Sequence, residues 1–128
     1  MLALLDTNAF LWWVTDDYRL SEQAREVISD SGNTIFFSVA SAWEIVIKAK
    51  LGKLPLPEPP ETYIPSRVNY YGFQILAIEM KYVLHISKLE NHHNDPFDRL
   101  LIAQSQIDRL PIITVDKKIS LYDVAVIW

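Results

Sequence analysis

The chain has 128 residues, half of them apolar and 22% charged, which is the profile of one packed globular domain and excludes a disordered segment. It has no cysteine, which excludes disulfides, thiolate nucleophiles and cysteine-held zinc. A formal net charge of -4 excludes a protein that grips nucleic acid through its overall field, so nucleic-acid chemistry here must rely on local basic patches and bound cations.

Met1 to Leu5 is apolar but has no basic leader and meets Asp6 at once, which argues against a signal peptide. No uncharged apolar run approaches the ~18 residues of a membrane span, so the expectation is a cytoplasmic protein without membrane association. Leu2 to Leu5 reads as a strand, Asp6 to Asn8 as helix-capping residues, and Phe10 to Val14 as the helix that follows. Ser21 caps a second helix carrying Ala24, Val27 and Ile28, which Ser31 to Asn33 ends. Thr34 to Val39, rich in β-branched and aromatic residues, reads as a buried strand.

Ser41 and Glu44 have capping-box spacing, and Ile45, Val46 and Ala49 continue a helical face. Pro55, Pro57, Pro59 and Pro60 form a stiff connector, after which Glu61 to Tyr71 reads as a helix bent or interrupted at Pro65 and ended by Gly72. Phe73 to Ile78 reads as a third strand, and Glu79 to Ile86 as a short helix with Met80, Val83 and Leu84 on its inner face. Ser87 to Asn94 is polar and reads as loop. Asp95 and Pro96 open an apolar helix to about Arg109, with proline in the favoured first position and Asp95 as its cap. Pro111 to Val115 is a fourth strand and Ala125 to Trp128 a fifth. Strands alternating with helices predict an α/β three-layer sandwich, a parallel sheet of four to five strands flanked by helices.

In such a sheet, ligands bind beyond the carboxyl ends of the strands, where strand order reverses. Asp6 follows the first strand, Glu44 lies in the helix after the second, and Asp116 follows the fourth. Asp98, in the first turn of the helix that feeds the fourth strand, reaches the same edge if that helix packs beside the switch point. Read singly, Asp6 is a helix cap, Glu44 a capping-box acid and Asp116 a turn residue. Their convergence points instead to a cation site, because crowded carboxylates repel one another unless a cation is present. Hard oxygen donors in this number favour Mg²⁺ or Mn²⁺, and a metal so held suits phosphodiester hydrolysis.

His85 reads as packed or surface-exposed, and His92 and His93 as solvated loop residues. Trp12, Trp13 and Trp43 occupy apolar helical positions and read as core or interface. Lys48, Lys50 and Lys53, just beyond Glu44, are the best-placed basic patch for phosphate. Asn8, Arg99 and Lys117, adjacent to the acids, complete the candidate substrate-contacting set.

These residues resemble the PIN-domain nucleases, and within them the VapC-type toxins of bacterial toxin–antitoxin pairs. The marks are Leu4 to Asn8, Ser38 to Ile45 with Lys48 and Gly52 to Leu54, His93 to Gln104, and Ile113 to Lys118. The resemblance runs through essentially the whole chain, as a single PIN-like domain over residues 1–128. It implies that Asp6, Glu44, Asp98 and Asp116 match the family's acidic quartet for Mg²⁺ or Mn²⁺. It also implies cleavage of RNA, a homodimer, and inhibition by a small antitoxin that carries a DNA-binding segment. Two rival readings are a PIN fold kept as an idle binding module, and an aspartyl-phosphate-forming phosphotransferase. The latter usually wants a second acid two residues after the nucleophile, where this chain has Asn8.

Overall fold

The chain begins with the apolar run Leu2–Leu5, which forms the strand β1 in a computed structural model that describes residues 1–128. Asp6 then turns the backbone into helix α1 (Thr7–Val14), and Ser21 caps α2 (Glu22–Ser29) by accepting from the Ala24 N–H. Strand β2 (Thr34–Ser38) runs directly into α3 (Val39–Lys50), and the proline connector leads to α4 (Pro60–Tyr71). The remainder is β3 (Gln74–Leu76), α5 (Met80–His85), a 3₁₀ turn (Ile86–Lys88), α6 (Pro96–Asp108), β4 (Ile112–Ile113), a second 3₁₀ turn (Ile119–Leu121) and β5 (Val126–Ile127). The strands form one sheet in the order β3-β2-β1-β4-β5. Every neighbouring pair is parallel, with Leu4 opposite both Phe36 and Ile112.

The sheet separates two apolar layers because successive side chains of a strand point to opposite faces. Ala3, Leu5, Ile35 and Phe37 face α1, α2 and α4, where Ala9, Phe10, Ala24, Ile28, Ile64 and Val68 close the larger layer. Leu4 and Ile112 face the other way, onto Leu100, Leu101 and Ile102 of α6. Full burial of a side chain such as Phe10 or Leu101 contributes roughly 1.5–3 kcal/mol, which makes these layers the main source of stability. Trp12 and Trp13 pack on the first layer, against Trp128 and Tyr71. A polar strut joins the layers: Ser38 Oγ, which accepts from the Ala40 N–H, also donates to Gln104 Oε1 at 2.7 Å, and Gln104 Nε2 donates to the Ala77 carbonyl.

Several local expectations change. Helix α3 starts at Val39, capped by Ser38, so Ser41 and Glu44 lie inside it and form no capping box. Pro65 does not interrupt α4, because the helix continues to Tyr71 and Gly72, whose φ is 69°, closes it. The apolar residues of α5 point outward: Met80, Val83 and Leu84 are exposed, whereas Tyr82 is buried with its hydroxyl donating to Asp108. A six-residue helix is too short for periodicity to define its inner face, and the one large ring with a polar anchor takes it. The 3₁₀ turn at Ile86–Lys88 occupies part of the expected loop, and β3, β4 and β5 are shorter than their apolar runs.

Candidate active site

Chain order places β1 at the centre of the sheet, with β2 and β3 to one side and β4 and β5 to the other. The crevice at this reversal lies beyond the carboxyl ends of β1 and β4. Asp6 leaves β1 as the N-cap of α1, its Oδ1 accepting from the Ala9 N–H at 2.6 Å. It is 5% exposed. Burial pushes its carboxyl up to about 6, against the lowering effect of hydrogen bonds from Thr114 and the Ala9 N–H, while Asp116 and Glu44 raise it further.

Glu44 approaches from α3 and is also buried. Its Oε1 accepts from the Thr7 hydroxyl at 2.6 Å, and its Oε2 lies 2.5 Å from Lys48 Nζ, one helical turn on. Thr7 hydrogen-bonds Ser41 as well, so α1 and α3 are joined beneath the carboxylates. Lys48 is held in its charged form, first by its hydrogen bond to Glu44 and then by nearby acids that include Asp95 and Asp98. Lys48, marked in the sequence as a candidate phosphate contact, is paired with Glu44 in the folded chain and stays half exposed.

Asp95 caps α6, its Oδ1 accepting from the N–H groups of Phe97 and Asp98. That task leaves Asp98 free to face the crevice, where its side chain is 19% exposed. Burial raises the Asp98 carboxyl to about 8, and Asp95, Glu44, Asp6 and Asp116 add repulsion in that order. Asp116 follows β4, and its Oδ1 accepts from the Lys118 N–H at 2.8 Å. The structure therefore brings the four predicted acids into one electrostatic neighbourhood.

The sequence reading missed His93. It is buried, with Nε2 lying 2.8 Å from Asp116 Oδ2 and 3.0 Å from Asp98 Oδ2. One potential ligand atom from each of His93, Asp98 and Asp116 lies within 4.8 Å of the others. The loop's polarity concealed its anchoring, which comes from residues distant in sequence. Tyr122 Oη accepts from the backbone N–H groups of His92 and His93 and donates to the Glu90 carbonyl. Arg99 donates to the carbonyls of Ile86, Glu90 and His93 and to Tyr122 Oη. Its guanidinium thus holds this loop in place.

The other candidates are exposed. Asn8 is exposed in the first turn of α1, Lys117 is exposed beside Asp116, and Lys50 and Lys53 are exposed at the end of α3 and in the turn after it. Lys50 stands about 200° round the helix from Lys48, so the three lysines do not form one patch. Trp43, half exposed, meets Phe97 edge-on at 5.0 Å where α3 approaches α6.

The donor set fits a hard divalent cation. It offers carboxylate oxygens from four positions and no thiolate, and both Asp6 and Asp98 are held above the usual carboxylate range, chiefly by burial and further by repulsion from the neighbouring acids, which a cation would offset. Asp98 and Asp116 bring ligand atoms within 4.8 Å of each other, Asp6 is coupled to the site by charge, and Glu44 is paired with Lys48.

Comparison with known proteins agrees with this architecture. A family model described as "PIN domain" matches residues 3–126. Ribonuclease VapC16 of Mycobacterium tuberculosis is 41% identical over 63 residues, which is 49% of this chain and 45% of that protein, so the match spans a little under half of each. The structure superposes on VapBC2 from Rickettsia felis bound to a promoter DNA fragment, with a TM-score of 0.70, 13% identity, and coverage of 98% of this chain and 97% of that one. DNA-bound VapBC from Salmonella typhimurium gives a TM-score of 0.69 at 14% identity, covering 98% and 97%. FitAcB from Neisseria gonorrhoeae gives 0.65 at 16% identity, covering 98% and 96%. At these identities the likeness to the solved structures is one of fold.

Proposed function

Because the chain belongs to the PIN-domain family, we propose that it is a Mg²⁺- or Mn²⁺-dependent endoribonuclease, the toxin of a type II toxin–antitoxin pair. The observation that carries this reading is the convergence of Asp6, Glu44, Asp98 and Asp116 at the sheet's switch point, with two of them pushed toward neutrality. The ribonuclease name of the relative supports the substrate class, and the toxin–antitoxin complexes among this chain's structural neighbours support an antitoxin partner. A homodimer completes the proposal.

Asp6, Asp98 and Asp116 hold the cation in this reading, and Glu44 adds negative charge behind them. A divalent cation supplies the positive charge that steadies a phosphoryl group under attack. The chain's own part is positional. The Asp95 cap fixes the first turn of α6 and with it Asp98, the Ala9 N–H fixes Asp6, and the Lys118 N–H fixes Asp116. Thr7 and Lys48 hold the two oxygens of Glu44. In this reading Asn8 and Lys117, both exposed, meet the RNA backbone, where phosphate contacts orient the strand without reading its bases.

The test is incubation of the pure protein with total cellular RNA in Mg²⁺, in Mn²⁺ and in chelator, followed by end mapping of fragments. Cleavage that requires a divalent ion and is lost in Asp98→Asn is the expected result. Intact RNA in every condition favours the idle binding module, and cleavage that persists in chelator refutes the metal.

A further inference from the structure

We propose that His93 is a positioning residue of this site, whose Nε2–H sets the carboxylates of Asp98 and Asp116 toward one cation without itself ligating it. The inference rests on the metal-dependent reading above and deepens it. The proton's place follows from the hydrogen bonds. The backbone N–H of Asp95 donates to His93 Nδ1 at 3.1 Å, so that nitrogen offers its lone pair and carries no proton. The neutral ring then bears its hydrogen on Nε2, the atom that faces Asp116 Oδ2 at 2.8 Å and Asp98 Oδ2 at 3.0 Å. A nitrogen that donates has no lone pair for a metal. Ligation through Nε2 would need the proton moved to Nδ1, against the Asp95 N–H.

The ring is also fixed in place. The backbone N–H of His93 donates to Tyr122 Oη at 2.9 Å and its backbone carbonyl accepts from Arg99 at 3.0 Å, and the residue is 9% exposed. Asp116 is consequently gripped at both oxygens, Oδ1 by the Lys118 N–H and Oδ2 by His93. Ligating carboxylates are commonly oriented in this way by outer partners, whose loss weakens metal binding about 10–100-fold.

Two measurements test the proposal. The first is Mn²⁺ affinity by titration calorimetry for the wild type, His93→Gln and His93→Phe. A carboxamide N–H can replace the imidazole donor and a phenyl ring cannot, so His93→Phe is expected to bind Mn²⁺ about 10–100-fold more weakly while His93→Gln stays near the wild type. Unchanged affinity in His93→Phe overturns the proposal but leaves the metal reading intact, whereas wild-type protein that binds no Mn²⁺ removes both. The second uses the wild type alone, so it does not depend on a variant folding. Histidine ¹⁵N chemical shifts should place the proton on Nε2 with and without Mg²⁺, and transfer to Nδ1 when Mg²⁺ is added overturns the positioning role in favour of ligation.

Discussion

Replacing Asp98 by Asn should stabilise the metal-free protein at alkaline pH and leave it unchanged in acid. The folded chain holds this carboxyl at about 8, against 3.8 ordinarily, so between about pH 4 and pH 8 the native state keeps a proton that the unfolded chain has released. Stability therefore falls as pH rises through that window, and the whole penalty is present above it. At about 1.4 kcal/mol per pH unit, the gap caps the penalty at about 6 kcal/mol. Burial is the largest part of that penalty and repulsion from Asp95, Glu44, Asp6 and Asp116 the rest; neighbouring acids share the proton and Asn weakens the contact with His93, so about half of the cap is expected, roughly 3 kcal/mol. For a chain of this size that corresponds to a rise of about 10 °C in Tm. The assay is thermal unfolding in chelator from pH 4 to pH 8.5, followed by far-UV circular dichroism. If Asp98→Asn melts at or below the wild-type temperature at pH 8, or if the two curves run parallel in pH, the account of a repulsive site is refuted.

Three further outcomes follow from the same geometry. Mg²⁺ at 100-fold excess over its dissociation constant should add about 2.7 kcal/mol of stability, more visibly at pH 8 than at pH 5; calorimetric scans identical in Mg²⁺ and in chelator would count against it. Asp95→Ala removes a cap that serves two N–H groups and should cost on the order of 1 kcal/mol in urea unfolding while leaving measurable cleavage. Thr7→Val strips the hydroxyl donor from buried Glu44 and should cost about 1.5–3 kcal/mol, the range for hydrogen bonds to charged groups; a variant as stable as the wild type would show that Lys48 alone satisfies Glu44.

The parts of this architecture written in local chemistry are the ones the sequence predicts. The β1 run, the caps Asp6, Ser21 and Asp95, and the α6 start at Pro96 each follow from a short-range rule. The convergence of the acids was legible because one topological rule locates the switch point once strands and helices alternate. What was hidden depends on contacts far apart in sequence. His93 acquires its role from Asp116, Arg99 and Tyr122, and no local pattern reveals a loop pinned from beneath. Lys48 behaves likewise, since a lysine one turn after a glutamate becomes a buried acid's counter-charge only once that acid is buried. The start of α3 was displaced because Ser38 and Ser41 are both competent caps, and the end of β2 decides between them.

The strut between Ser38 and Gln104 governs how the molecule comes apart. Ser38 opens the helix that carries Glu44, Gln104 lies on the helix that carries Asp98, and the same carboxamide reaches the chain just past β3. Fraying either helix alone would strand buried polar atoms, so the two are bound into one cooperative unit for native-state hydrogen exchange. The segment from Asn91 to Asn94 lies outside that unit and is tied down by Tyr122 and Arg99. Exchange of the amides in this segment therefore reports on the Tyr122 and Arg99 anchors, whereas exchange in the two helices reports on the strut.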